Sequence, residues 1–229
     1  MDEQALRLRS SVLITAAKLF LHQGYSNTTT RQIAAAAGVH VSAMNRSFGS
    51  KENILAILVE YVLESQFTFT EQLLKGITDD PILFYAAETT LQLHMAESSE
   101  HVRDLYNSAY TMSKTSENIQ QAITEKLEHI FAAYLPGLET KDFFELEVAS
   151  GGVMRGFLTI PCNMYFTMDR KIARFLETTF LIYRVPDEKI LEAVEFVKQF
   201  DFATLAQEAI HSMLTRLENT PPIGGLDHA

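Results

Sequence analysis

RQIAAAAGVHVSAMNRSFGSKENI, residues 31–54, sets four alanines, Ala34 to Ala37, against Gly38, followed by a short polar segment, Phe48 and the triplet Ser50-Lys51-Glu52. Two short helices crossing steeply over a three-residue turn need small side chains where their backbones approach. The turn itself wants a glycine free to take φ > 0. The alanines and Gly38 supply both. Thr29, with Gln32 three positions on, is a capping-box pattern, so a helix is expected over 30–37 and a second over 41–47. Ser50 caps a third, with Glu52 favourable in its first turn. Ile33, Val39, Met44 and Phe48 form the apolar side of this unit, while His40, Ser42, Asn45 and Arg46 share the opposite side. A polar helix held outward by a small core and flanked by cations suits the major groove of B-DNA, which admits one α-helix and presents hydrogen-bonding base edges. The same pattern also describes an ordinary helical corner with a solvated face.

Outward from this stretch, every long segment repeats its apolar residues at helical period, and none sustains strand alternation. A first helix is expected over 4–23, with Leu8, Val12, Ala16, Leu19 and Phe20 on one stripe and Gly24 as its stop. The helix capped by Ser50 continues through Ile54, Leu55, Leu58 and Val62 towards Phe69 and ends by Gly76. Further helices are expected over 81–97, 101–112, 116–134, 141 to 161 or 163, 169–183, 187–200 and 203–217. The chain therefore reads as all-α. A three-helix helix-turn-helix unit over 1–52 is joined through a long helix to a helical bundle over 53–219, and a disordered tail is expected over 220–229.

The chain of 229 residues has a formal charge of −10, which by itself argues against a nucleic-acid partner. The distribution reverses that reading: residues 1–52 hold six basic residues (Arg7, Arg9, Lys18, Arg31, Arg46, Lys51) against three acidic ones (Asp2, Glu3, Glu52), a net +3 on an acidic body of net −13. Cys162 is the single cysteine, so no intramolecular disulfide or cysteine-based zinc site closes within one chain, which suits a reducing compartment. The N-terminus has no apolar signal core, and the fairly apolar run 148–166 is broken by Arg155, Pro161 and Asn163. No membrane span is expected, and the cytoplasm is the expected location.

Seven scattered histidines offer no His-Glu-x-x-His pattern, and P-loop, G-x-S-x-G and G-x-G-x-x-G motifs are missing from the sequence. No catalytic, metal or cofactor site is expected, which disfavours an enzyme. A helical protein-interaction adaptor without sequence-specific DNA binding remains the other reading.

The N-terminal segment resembles the DNA-binding domain of the TetR/AcrR family of bacterial transcriptional regulators. Leu19-Phe20, Gly24-Tyr25, Thr28-Thr29, Ile33-Ala34, Ala37-Gly38-Val39, Phe48 and Ser50-Lys51-Glu52 follow the family pattern in order and spacing, over about fifty of the 229 residues. Asn45 stands where the family usually has a tyrosine, Ser47 where an aromatic or histidine is common, and His40 where a small hydroxyl residue is usual. An amide at 45 is suited to pair with adenine. On this resemblance Thr28, Thr29, Arg31 and Lys51 are candidate phosphate contacts, at the starts of two helices where free N–H groups and the dipole favour anions. His40, Val41, Ser42, Asn45 and Arg46 are candidate base readers.

A head of net +3 gains by pairing on one rigid body, and a symmetric dimer matches a palindromic site, so a homodimer on double-stranded DNA is expected. The resemblance implies a four-helix dimer interface, which falls either on 141–183 or on the last two helices after Pro186. Ala149, Gly152 and Gly156 form a small-residue strip that serves either close helix contact between chains or packing within one. The resemblance also implies a small-molecule effector in the body and a repressor released or altered by it. His94, Arg103, Asn107, Tyr110, Arg155 and Phe157 are candidates to line that site.

Overall fold

The computed structural model describes residues 3–221, so residues 222–229 of the expected tail lie outside the described residues. Among the described residues the chain is eleven α-helices and one 3₁₀ turn, without strands. The helices are α1 (Glu3–Gln23), α2 (Thr30–Ala36), α3 (Val41–Phe48), α4 (Lys51–Leu74), α5 (Pro81–Glu97), α6 (Glu100–Thr111), α7 (Ser113–Phe131), α8 (Thr140–Thr159), α9 (Met168–Ile182), α10 (Asp187–Val197) and α11 (Phe202–Asn219). None is long and apolar enough to cross a membrane. The expected helix over 116–134 begins earlier, at Ser113, and its end tightens into the 3₁₀ turn Ala132–Tyr134, a common way to close a helix before a Pro-Gly pair.

In the head, Val12, Leu13, Ala16 and Phe20 of α1 pack over Ile33, Ala34, Met44 and Phe48, all of them buried. Phe20 meets Tyr25 edge-on with ring centroids 5.1 Å apart. Gly38 takes φ 69°, as the turn between α2 and α3 requires. Only two of the four alanines turn inward: Ala34 is buried and Ala37 half-buried, whereas Ala35 and Ala36 are exposed. At about 100° per residue, four consecutive positions cannot all face one neighbour.

The head is seated on the body as well as tethered to it. α1 packs against α6 and α11, and one hydrophobic core runs from Val12 to Leu217 without a break between head and bundle. The backbone N–H and hydroxyl of Ser26, between α1 and α2, donate to the Asp104 carboxylate of α6 at 2.8 and 2.7 Å. Gly24 serves this clasp twice. Its φ of 82° makes the turn, and a Cβ there would lie 2.8 Å from an Asp104 carboxylate oxygen.

In the body, α5 is apolar nearly all round and stands at the centre, against α4, α6, α7, α8, α9, α10 and α11. Beside it Phe131 and Tyr183 stack 3.9 Å apart, flanked by Tyr85 and Phe180. Lys171 is fully buried and donates to the Glu97 carboxylate and to the Ile160 carbonyl, fastening the α8–α9 loop to the end of α5. Glu97 also accepts from Arg103 and from the Cys162 N–H. Burial pushes its carboxyl up, but these partners, Lys171 foremost, hold it below the usual range.

Candidate nucleic-acid interface and body cavity

The outer surface of the head is built by α2 and α3. Thr29 caps α2 reciprocally: its hydroxyl accepts from the Gln32 N–H at 3.2 Å, and the Gln32 carboxamide accepts from the Thr29 N–H at 2.8 Å. The first-turn amides beyond this pair have no intrahelical acceptor and face outward with the positive end of the helix. Thr29→Ala is expected to cost the head about 1 kcal/mol, read as a lower denaturation midpoint. An unchanged midpoint would show that the box contributes nothing.

His40 sits at the N-cap of α3 yet makes no side-chain cap bond, so the start of this helix is open as well. His40, Val41, Ser42, Asn45 and Arg46 are all exposed, over a buried Met44 and Phe48. Five of the sequence-derived candidates thus share the free face of one helix, with Thr29 and Arg31 exposed on α2.

Thr28 and Lys51 lie differently. Thr28 is buried, and its hydroxyl donates to the Gly24 carbonyl at 2.7 Å. The Lys51 ammonium donates to the carbonyls of Tyr25 and Thr28 at 2.9 and 2.8 Å and lies 3.9 Å from the centre of the Tyr25 ring. Burial lowers its pKa, against the opposing charge of Asp104. Both residues therefore hold the α1–α2 corner to the start of α4.

Other head cations are similarly engaged. Arg9 is buried, donates to the Ser47 carbonyl at 3.0 Å and lies over the Phe48 ring, while Lys18 pairs with Glu218 of α11 at 2.6 Å. Among the described residues, Arg31 and Arg46 are the head cations that are exposed without an ion pair. The charge facing outward is thus concentrated on α2 and α3.

The body holds two partly open chambers. An apolar one of about 90 Å³ lies between α1, α4, α5, α6 and α11, walled by Phe20, Leu58, Val62, Met95, Leu105 and Met213. A smaller one of about 40 Å³, between α4, α5, α7 and α8, is walled by Phe67, Tyr85, Glu88, Lys126, Glu147 and Met154 among others. Leu63, Gln92 and Tyr110 line both, and the Gln92 carboxamide donates to the Tyr110 hydroxyl at 2.8 Å across the partition.

Of the six body residues expected from the sequence, Tyr110 alone lines these chambers. His94 stacks on Phe202, Arg103 pairs with Glu97 at 3.1 Å, and Asn107 accepts from the Thr111 and Thr159 hydroxyls. Phe157 packs between Phe166 and Phe175, and Arg155 stands on the outer face of α8. Glu88 and Glu147 were missed; the signal was a glutamate inside the otherwise apolar run of α5. Among the described residues, no group of three or more His, Cys, Asp or Glu side chains is placed to hold a metal ion.

The outer faces of α8 and α9 expose Phe144, Val148 and Leu181, with Ile160 exposed just past the end of α8. On the same face of α8, Ala149 is exposed, and a Cβ added to Gly152 or Gly156 would meet nothing within 4 Å. α10 and α11 together expose one large apolar side chain, Leu191.

Residues 12–57 match the family described as bacterial regulatory proteins, tetR family. HbdR of Aromatoleum sp. (strain CIB), an HTH-type transcriptional regulator, is 34% identical over 70 residues, covering 31% of each chain. The chain thus spans about a third of the length of that curated relative. Among solved structures, RolR bound to resorcinol superposes with a TM-score of 0.63 at 17% identity over 87% of this chain and 97% of its own. SmeT, the repressor of the Stenotrophomonas maltophilia multidrug efflux pump SmeDEF, gives 0.55 at 22% identity over 79% and 92%. At such identities the likeness is one of fold: a helix-turn-helix head on a helical body.

Proposed function

We propose that this chain, whose N-terminal unit is that of the tetR family of bacterial regulatory proteins, is a ligand-responsive transcriptional repressor. It works in the cytoplasm as a homodimer on a palindromic operator and catalyses nothing. The observation that carries this reading is the free face of α3: His40, Val41, Ser42, Asn45 and Arg46, exposed on a helix whose other side is fixed in the head core.

The dimer is best supported on α8 and α9, where exposed apolar side chains flank a strip of small residues bare enough for two helices to approach closely. α6 supports the coupling between body and head. Val102, Leu105, Tyr106 and Tyr110 of α6 line the apolar chamber, while Asp104 of the same helix clasps Ser26. A ligand that shifts α6 changes the seat of the head. By linkage it weakens DNA binding by the factor by which DNA weakens its own binding, typically ~1–3 kcal/mol.

Selection of bound duplexes from a random pool is expected to enrich a palindrome with half-sites about one helical turn apart. Sedimentation is expected to show a dimer that Val148→Asp, an exposed position on α8, converts to monomer. No enrichment at low salt would sink the reading, and a Val148→Asp protein that stays dimeric would move the interface elsewhere.

A further inference from the structure

Most of the cavity wall is apolar, which makes its two acids conspicuous. Glu88 of α5 is 5% exposed and lines the smaller chamber, and among the described residues its carboxylate makes no hydrogen bond and no ion pair. Glu147 of α8, equally buried, lines the same chamber and accepts one hydrogen bond, from the Ser150 hydroxyl at 2.8 Å; Ser150 also meets the Tyr183 hydroxyl. A buried carboxylate without a partner is among the costliest groups a core holds. Here the unpartnered Glu88 and the singly hydrogen-bonded Glu147 share one space with the rings of Phe67, Tyr85 and Tyr110.

The cation nearest to hand does not reach in. Lys126 of α7 lines the chamber but is exposed, and its ammonium lies 4.2 Å from the centre of the Phe67 ring. Phe67, Lys126 and Ile130 also line an open surface cleft that carries Glu71, Asp79 and Glu125 beside Lys75 and His129. The cleft and the chamber thus share a wall, where a lysine over an aromatic ring stands between the surface and the two carboxyls. Beyond them, across the Gln92–Tyr110 partition, lies the apolar chamber.

We propose that Glu88 and Glu147 make this cavity a receptor for a small organic cation, an ammonium or amidinium borne on a single ring or short branched alkyl group. This rests on the effector-cavity reading above. Anionic acceptors and aromatic faces together are what a desolvated ammonium requires. The chambers, about 90 and 40 Å³, come to about 130 Å³ together, close to the roughly 150 Å³ that takes one benzene, so a ring-bearing cation fits only by spanning both as the Gln92–Tyr110 bond parts. Lys126 holds the cation's place at the mouth and gives way on binding. Burial holds the Glu88 and Glu147 carboxyls up near 7, so a fixed cation must displace protons from them. The groups facing them are Lys126 of α7, Tyr106 and Tyr110 of α6, Tyr85 of α5, Ser150 of α8 and Tyr183 at the end of α9.

Calorimetry with three probes of one shape tests this: phenyltrimethylammonium, tert-butylbenzene and benzenesulfonate. The cation is expected to bind at least tenfold tighter than the neutral probe. Its affinity should rise about tenfold from pH 6 to pH 8 for each carboxyl that ionises. Glu88→Gln and Glu147→Gln, each checked for a retained cooperative melt, should collapse the cation's advantage, whereas Lys126→Met should tighten the cation. Equal or better binding of the neutral probe, or an undiminished advantage in folded Glu88→Gln and Glu147→Gln, overturns the proposal. So does failure of all three probes in a protein that selects an operator, which leaves the DNA reading standing. Cation binding by a protein that ignores DNA supports the receptor and sinks the regulator.

Discussion

Alanine at Arg46 is expected to lower operator affinity by about 2–6 kcal/mol, roughly thirtyfold to twenty-thousandfold, because a base-reading side chain contributes ~1–3 kcal/mol and a symmetric dimer presents it twice. The substitution isolates recognition from folding. Arg46 is exposed on α3 and makes no ion pair, so its removal should change stability by less than about 0.5 kcal/mol. The buried residues behind it, Met44 and Phe48, keep the helix in place. Adding Asn45→Ala should reduce the protein to non-specific binding, since specific recognition as a whole exceeds non-specific binding by ~4–10 kcal/mol. Arg31→Ala, on the flank, should behave differently: affinity falls evenly across sequences, and the salt slope drops by about 0.9 for each phosphate no longer neutralised. Competition binding of the selected operator against scrambled duplex, over a series of salt concentrations, separates the two. Arg46→Ala protein that keeps both its affinity and its sequence preference would remove α3 from the interface.

The helices were legible in the sequence because their signals are local. Capping at Thr29 and Ser50, φ > 0 at Gly38, and the apolar stripe through Val12, Ala16 and Phe20 each depend on neighbours within a turn or two, and each appears as expected. Partners distant in sequence were not legible. Lys51 reads from the sequence as a free cation at a helix start, but its acceptors are the carbonyls of Tyr25 and Thr28, on another helix junction. Lys18 counts towards a basic head until Glu218, two hundred residues on, is found against it. The body was harder still. His94, Arg103 and Asn107 interrupt apolar helices just as Glu88 does, and only the packing of seven helices around α5 decides that Glu88 faces a cavity while Arg103 finds Glu97.

Raising the pH from 5 to 8 is expected to weaken the fold through the same two acids. Burial lifts Glu88 from 4.5 to about 7, opposed by Lys126, and lifts Glu147 likewise to about 7, opposed by its Ser150 hydrogen bond. Between about 4.5 and 7 the folded chain therefore binds more protons at these sites than the unfolded chain does. The unfolding free energy falls as pH rises through that window, and the full loss is present above 7. At 1.36 kcal/mol per pH unit the loss is about 3 kcal/mol for each carboxyl. The other shifted carboxyls do not mask it. The depressed carboxyls of Asp80, Glu97 and Asp201 contribute stability that is lost only as pH falls below about 4.5, under the window. His94, lowered by burial, works the other way and adds stability as pH rises towards 6.5. The variants cancel that background: Glu88→Gln/Glu147→Gln keeps His94 and every surface charge but loses the penalty. Melted at fixed protein concentration, it should match the parent at pH 5 and exceed its Tm by on the order of 10 °C at pH 8. Parallel pH profiles for the two proteins would mean that these carboxyls are not held in a dry chamber, and the acidic end of the cavity would have to be redrawn.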